Sequence, residues 1–228
     1  MEESIKIAIA GERQHNIFHQ SVELALLESA SALGIQVKFI WLNGSLLQDF
    51  RSAHPEILNG VWIVSGPHPN REALLDLVDY ATEENVPLMA VSDGMQALLG
   101  HLLQLQDEDP LFDGWALLDT HHSIKLHVLP GTRPAAFYRK QQVYVQSRMN
   151  YLWEDDLLHL IDDKQLQIAA MDEEGRPSLL EHREMEFLMA ATFEPQLNSS
   201  QGHPSFLVTA FLKAAIRNFL KKQSAVVK

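Results

Sequence analysis

The 228-residue chain is 46% hydrophobic and 21% charged, the composition of a globular protein long enough to bury a full core in one domain. Its formal net charge of −12 sets it against nucleic acid and anionic membrane as partners. It has no cysteine, which excludes disulfides, thiolate metal sites and a cysteine nucleophile.

The acidic start Met1-Glu2-Glu3-Ser4 leads straight into a strand and lacks signal-peptide character. No apolar run approaches the ~18 residues of a membrane span, so a cytoplasmic protein is expected. Ile5 to Ala10 alternates and stops at Gly11, predicting a first strand. Phe18, Val22, Ala25, Leu26, Ser29 and Leu33 share one helical face, and Gly34 ends that helix. Ile35 to Trp41 and Val61 to Val64 read as the second and third strands. Asn70 is placed to cap a helix with Leu74, Leu75, Val78 and Ala81 turned inward. Val86 to Val91 is the fourth strand.

There the apolar run breaks at Ser92-Asp93-Gly94, and a helical pattern runs from Met95 to Leu103. A strand turning sharply into a helix lifts one side chain above the sheet, at the positive helix N-terminus. Strands alternating with helices predict a doubly wound, mostly parallel α/β sheet, with ligands beyond the carboxyl ends of the strands. The loops after Ala10, Val64 and Val91 are therefore expected around one site.

In the second half, Asp107 to Asp113 reads as an exposed acidic loop. Ser123 to Leu129, Val143 to Gln146, Leu166 to Met171 and Phe187 to Phe193 read as strands, with a short helix near Met149 to Ile161. Asp172-Glu173-Glu174-Gly175 reads as a turn. Pro204 opens a last helix with Phe206, Ala210, Phe211 and Ala214 inward, closed by basic Lys213, Arg217, Lys221 and Lys222. His121, His122 and His127 invite a metal reading, but adjacent strand residues point to opposite faces, so no metal is expected; the G-x-x-x-x-G-K-[ST] and G-x-G-x-x-G patterns are absent, and no cofactor is expected. There is no internal repeat and no linker, so residues 1–228 are read as one domain.

Six segments, in order and spacing, resemble the glutamine amidotransferase domain of CTP synthase, a class I (triad-type) glutaminase. They are Asn59-Gly60-Val61-Trp62-Ile63-Val64-Ser65-Gly66, Glu83 to Leu88, Asp93-Gly94-Met95-Gln96, Pro130-Gly131-Thr132, Ala191-Thr192-Phe193, and Gly202-His203-Pro204 through Ala215. The resemblance implies a class I glutamine amidotransferase-like, flavodoxin-like fold. It also aligns the family's chemistry with residues that differ. Ser92 stands where the family has its cysteine nucleophile. Glu194-Pro195-Gln196 stands where it has His-Pro-Glu, which supplies the base and the carboxylate that orients it. Ser65-Gly66-Pro67-His68 stands at the oxyanion-hole segment, with Pro67, which has no N–H, at the donor position.

The expectation is a pseudoenzyme that binds a small molecule or a protein, with Asp93, His68 and His203 bordering its pocket. Glu194 is expected to face that pocket and make it acidic, favouring amine-bearing ligands. Two alternatives stay open. One is a repurposed hydrolase in which Ser92 uses His68 or His203 as base. The other is an accessory subunit linked to CTP synthesis and pyrimidine biosynthesis. A homo-oligomer is compatible with each.

Overall fold

The computed structural model describes residues 4–14, 16–50, 58–66, 68, 70–105, 112–153, 161 and 165–226. Among these residues nine strands form one sheet in the order β2-β1-β3-β4-β9-β8-β7-β5-β6. The parallel part contains β1 (Ile5–Ala10), β2 (Val37–Leu42), β3 (Gly60–Ile63), β4 (Leu88–Val91) and β9 (Leu188–Ala191). From β9 outward the sheet continues antiparallel through β8 (Pro177–His182), β7 (Leu166–Met171), β5 (Phe112–Val128) and β6 (Gln142–Trp153). This is an α/β fold with the flavodoxin-like strand order in its first half.

Strand periodicity of two sorts the side chains into two cores. Ile7, Ile9, Trp62, Met89, Val91 and Met189 face one side. There they pack against α1 (Ile17–Leu33) and α6 (Phe206–Val226). Ala8, Val61, Ile63, Leu88, Ala90 and Leu188 face the other side, against α3 (Arg71–Glu83) and α4 (Asp93–Leu102). Short helices α2 (Gly44–Gln48) and α5 (Arg133–Tyr138) are also present among the described residues. The caps follow the sequence: the Asn70 side chain accepts the Ala73 N–H, and Gly34 takes the left-handed conformation after α1.

Several expectations need correction. Met149 to Trp153 continue β6 rather than starting a helix; residues 154–160 lie outside the described residues. Strand β5 starts at Phe112, so Asp113 belongs to a strand, while 107–111 lie outside the described residues. Strand β8 was not anticipated. Phe206 is not inward but 57% exposed, because it stands at the first position of α6, beyond the last layer of core. On α3 Leu77 is buried, and Leu75 lies at the edge of the buried stripe.

Candidate functional site

Strand β4 lies between β3 and β9, and Val91 is its last residue. Ser92 then holds φ 52°, ψ −123°, a conformation that L-residues rarely adopt and that packing must sustain. Its N–H donates to the Ala191 carbonyl at 2.8 Å, and its own carbonyl accepts from the Met95 and Gln96 N–H groups. The chain therefore turns from strand to helix within one residue. Gly94 makes this close turn feasible: a Cβ there would lie 2.8 Å from Ile63 Cγ2 and 2.9 Å from the Val64 carbonyl oxygen.

Strand β9 runs parallel to β4 and delivers Glu194 beside this turn. The Ser92 hydroxyl donates to Glu194 Oε1 at 2.7 Å, and the Gln196 amide donates to Glu194 Oε2 at 2.5 Å. Ser92 and Glu194 are completely buried and Gln196 nearly so. A buried carboxylate is costly unless hydrogen-bonded, and here each oxygen receives a donor. Gln196 Oε1 is left buried without a partner among the described residues. Glu194 therefore does not face an open pocket, as the sequence suggested; both its oxygens are engaged inside the protein.

The carboxylate that does reach the surface is Asp93, half-buried at the first position of α4. Both its oxygens lie 2.8 Å from the Gly66 nitrogen and accept its N–H. Its own N–H and that of Gly94 also face it. Burial pushes its carboxyl up to about 7, against the pull of the Gly66 N–H, and the neighbouring Glu194 raises it further. A cradle of backbone N–H groups at a helix start is an anion site, and this chain fills it with its own side chain.

The loops around this cradle come from β1 and β3. Gly11 lies against Val64 and His68. His68 Nε2 donates to the Val64 carbonyl at 3.1 Å, leaving Nδ1 as a buried acceptor with no partner among the described residues. Burial lowers its pKa, which keeps the imidazole neutral. His19, which the sequence reading passed over, accepts the Gln14 N–H at Nδ1 (2.8 Å) and so donates from Nε2 to the Ser65 carbonyl (2.7 Å). It pins the start of α1 to the loop after β3. Its only sequence signal was a position adjacent to the apolar stripe.

Neither proposed histidine base meets Ser92, whose hydroxyl is bonded to Glu194. His203 is exposed and lines a separate groove with Arg133 and Phe206. Pro67 lies outside the described residues. No group of three or more metal-ligating side chains occurs among the described residues. No helix among them is long and apolar enough to cross a membrane.

No protein-family model matches the chain. A CTP synthase of Saccharolobus solfataricus is 22% identical over 244 residues, covering 93% of this chain and 45% of that protein. The chain spans somewhat under half the length of the curated relatives it matches. Among solved structures, a Trypanosoma brucei CTP synthase glutaminase domain with bound acivicin superposes with TM-score 0.78 at 16% identity, covering 94% of each chain. A glutamine amidotransferase of Methylobacillus flagellatus gives TM-score 0.50 at 9% identity, over 97% of this chain and 95% of that one. The chain has the class I glutamine amidotransferase fold, and nearly all of it is similar to CTP synthases, whose glutaminase domain it matches in structure.

Proposed function

We propose that this chain is a catalytically silent relative of the CTP synthase glutaminase domain, a pseudoenzyme whose scaffold now serves to bind. The observation that carries this reading is the closed hydrogen-bonded chain Ser92–Glu194–Gln196. The resemblance puts these residues at the nucleophile, base and orienting positions of a class I glutaminase. That chemistry needs an imidazole to take the nucleophile's proton and a carboxylate to hold the imidazole. Here a carboxylate with both oxygens engaged occupies the base position, and an amide occupies the orienting one. A serine hydroxyl is far less acidic than a thiol and needs a base more.

The oxyanion site supports the same reading. A developing oxyanion would have to displace or neighbour the Asp93 carboxylate, which already holds the Gly66 N–H. Pro67 supplies no N–H, and losing one such donor costs about 2.7–4 kcal/mol of transition-state stabilisation. The module's occupant on this reading is a small molecule or a protein. Ammonia release from glutamine is the direct test: the purified protein and its Ser92→Cys variant should not exceed a heat-killed control. Release by the wild type would overturn the proposal.

One contact favours a second reading, in which Ser92 is a nucleophile and Glu194 itself the proton acceptor. A 2.7 Å Oγ–Oε1 distance suits a nucleophile–base pair. Under that reading a fluorophosphonate probe labels the wild type and not Ser92→Ala. Complete burial of Ser92 leads us to expect no labelling of either.

A further inference from the structure

The outermost strand offers a second surface, independent of how Ser92 is read. We propose that the groove between β6, α5 and α6 docks an extended acidic segment of a partner protein, which pairs along the free edge of β6. The groove encloses about 1030 Å³.

The edge is the first observation. Strand β6 ends the sheet, with β5 on one side only. Its register with β5 is unbroken from Gln142 to Ser147, so alternate residues turn their N–H and C=O groups outward. The Gln146 carbonyl accepts the Glu194 N–H at 2.8 Å, and the Gln146 N–H donates to Asn198 Oδ1 at 3.3 Å. Asn198 Nδ2 in turn donates to the Tyr144 carbonyl at 3.2 Å. One side-chain amide thus bonds to Tyr144 and Gln146 as a neighbouring strand would. The same alternation turns the Tyr144 N–H and both Gln142 backbone groups outward, and no strand lies beyond them among the described residues. An unpaired edge is a template for an added strand.

The lining is the second observation. Tyr144 and Phe206, two of the most exposed large hydrophobic side chains, both border this groove, at 68% and 57% exposure. Phe137 and Ala210, both partly buried, line the same groove.

Charge decides the occupant. Arg139, Lys140 and Lys213 border the groove, exposed and with no carboxylate partner among the described residues. Glu186, a carboxylate of the same groove, is neutralised by Arg217 and Lys221. In a chain of net charge −12, this concentration of uncompensated cations is complementary to an acidic ligand. A nucleic acid is also polyanionic, but its backbone offers no donor and acceptor at strand spacing for Gln142 and Tyr144. A peptide offers both, and its alternate side chains meet the aromatic lining and the cationic rim.

An immobilised set of octapeptides with Glu at alternate positions, and Val, Thr, Phe or Tyr between, tests this. The matching set has Lys in place of Glu. The full chain should bind members of the acidic set and not their lysine counterparts. For the tightest peptide, measured by fluorescence anisotropy, the double variant Arg139→Glu, Lys213→Glu should lose about tenfold or more in affinity. N-methylation of alternate peptide nitrogens should abolish binding, a loss that charge attraction alone would not produce. Circular dichroism of the variant should match the wild type, since both positions are exposed. Three results would overturn the proposal: no preference for the acidic set, insensitivity to N-methylation, or tighter binding of a single-stranded oligothymidylate than of any peptide.

Discussion

A carboxylate at the start of a helix normally ionises easily, because the N–H groups there favour negative charge. Asp93 reverses that rule. Burial outweighs the Gly66 N–H, and the nearby Glu194 adds repulsion, so the carboxyl is pushed up to about 7. The unfolded chain releases this proton near pH ~3.9. Between those values the native state binds the proton more tightly. The stability contributed by Asp93 is therefore fully present below about pH 4 and is lost as pH rises through about 7. Asp93→Asn keeps an acceptor for the Gly66 N–H but cannot ionise. Its Tm should fall less than that of the wild type between about pH 4 and 8, ending several °C higher at the alkaline end, since the move from ~3.9 to about 7 corresponds to at most ~4 kcal/mol and each ~1 kcal/mol to about 2–4 °C in a chain of this size. Parallel Tm–pH curves from scanning fluorimetry would show that Asp93 does not titrate in this way.

At the scale of elements, the turn from β4 to α4 was legible because it is local. An apolar run, a polar break and a glycine within three residues define it. The structure adds what forces the glycine: α4 starts against the end of β3, 2.8–2.9 Å from where a Cβ would stand. One of those neighbours is backbone and cannot rotate away. Gly94→Ala should therefore destabilise by about 1–3 kcal/mol, read as a lower urea midpoint with unchanged slope. The elements that escaped the sequence reading depend on distant partners. Met149 to Trp153 became strand because β5 pairs with it, a choice no local spacing records. Strand β8 carries Pro177 and Glu181, residues disfavoured in strands, yet buried Glu181 accepts the Arg133 N–H and the Gln167 amide. At the site, the family spacing singled out Ser92, Glu194 and Gln196, and the structure brings these three side chains into one hydrogen-bonded chain. The links from His19 to Ser65 and from Asp93 to Gly66 were not legible, since each closes a loop of tens of residues onto a backbone group.

For the molecule as a whole, the proposed loss of activity is distributed, and this fixes what restoring it requires. Ser92→Cys, Glu194→His, Gln196→Glu and Pro67→Gly together would rebuild the family's nucleophile, base, orienting carboxylate and donor segment. Groups that act as a unit do not restore rate singly, so each partial combination should stay silent. The structure adds a fifth requirement that the resemblance did not specify. With Asp93 in place, its carboxylate still occupies the Gly66 N–H and sets a negative charge beside the proposed oxyanion position. The fourfold variant should therefore release no ammonia from glutamine near pH 8, where Asp93 is ionised. Adding Asp93→Leu, which removes that carboxylate, should bring measurable release. The fourfold variant alone should also gain some activity at lower pH, where protonation of Asp93 removes the charge; without the Glu194 carboxylate that protonation falls below about 7. The new imidazole must stay neutral to act as base, so that gain should be confined to a narrow, mildly acidic window. Glutaminase activity in the fourfold variant that is indifferent both to pH and to Asp93→Leu would show that Asp93 does not guard the site.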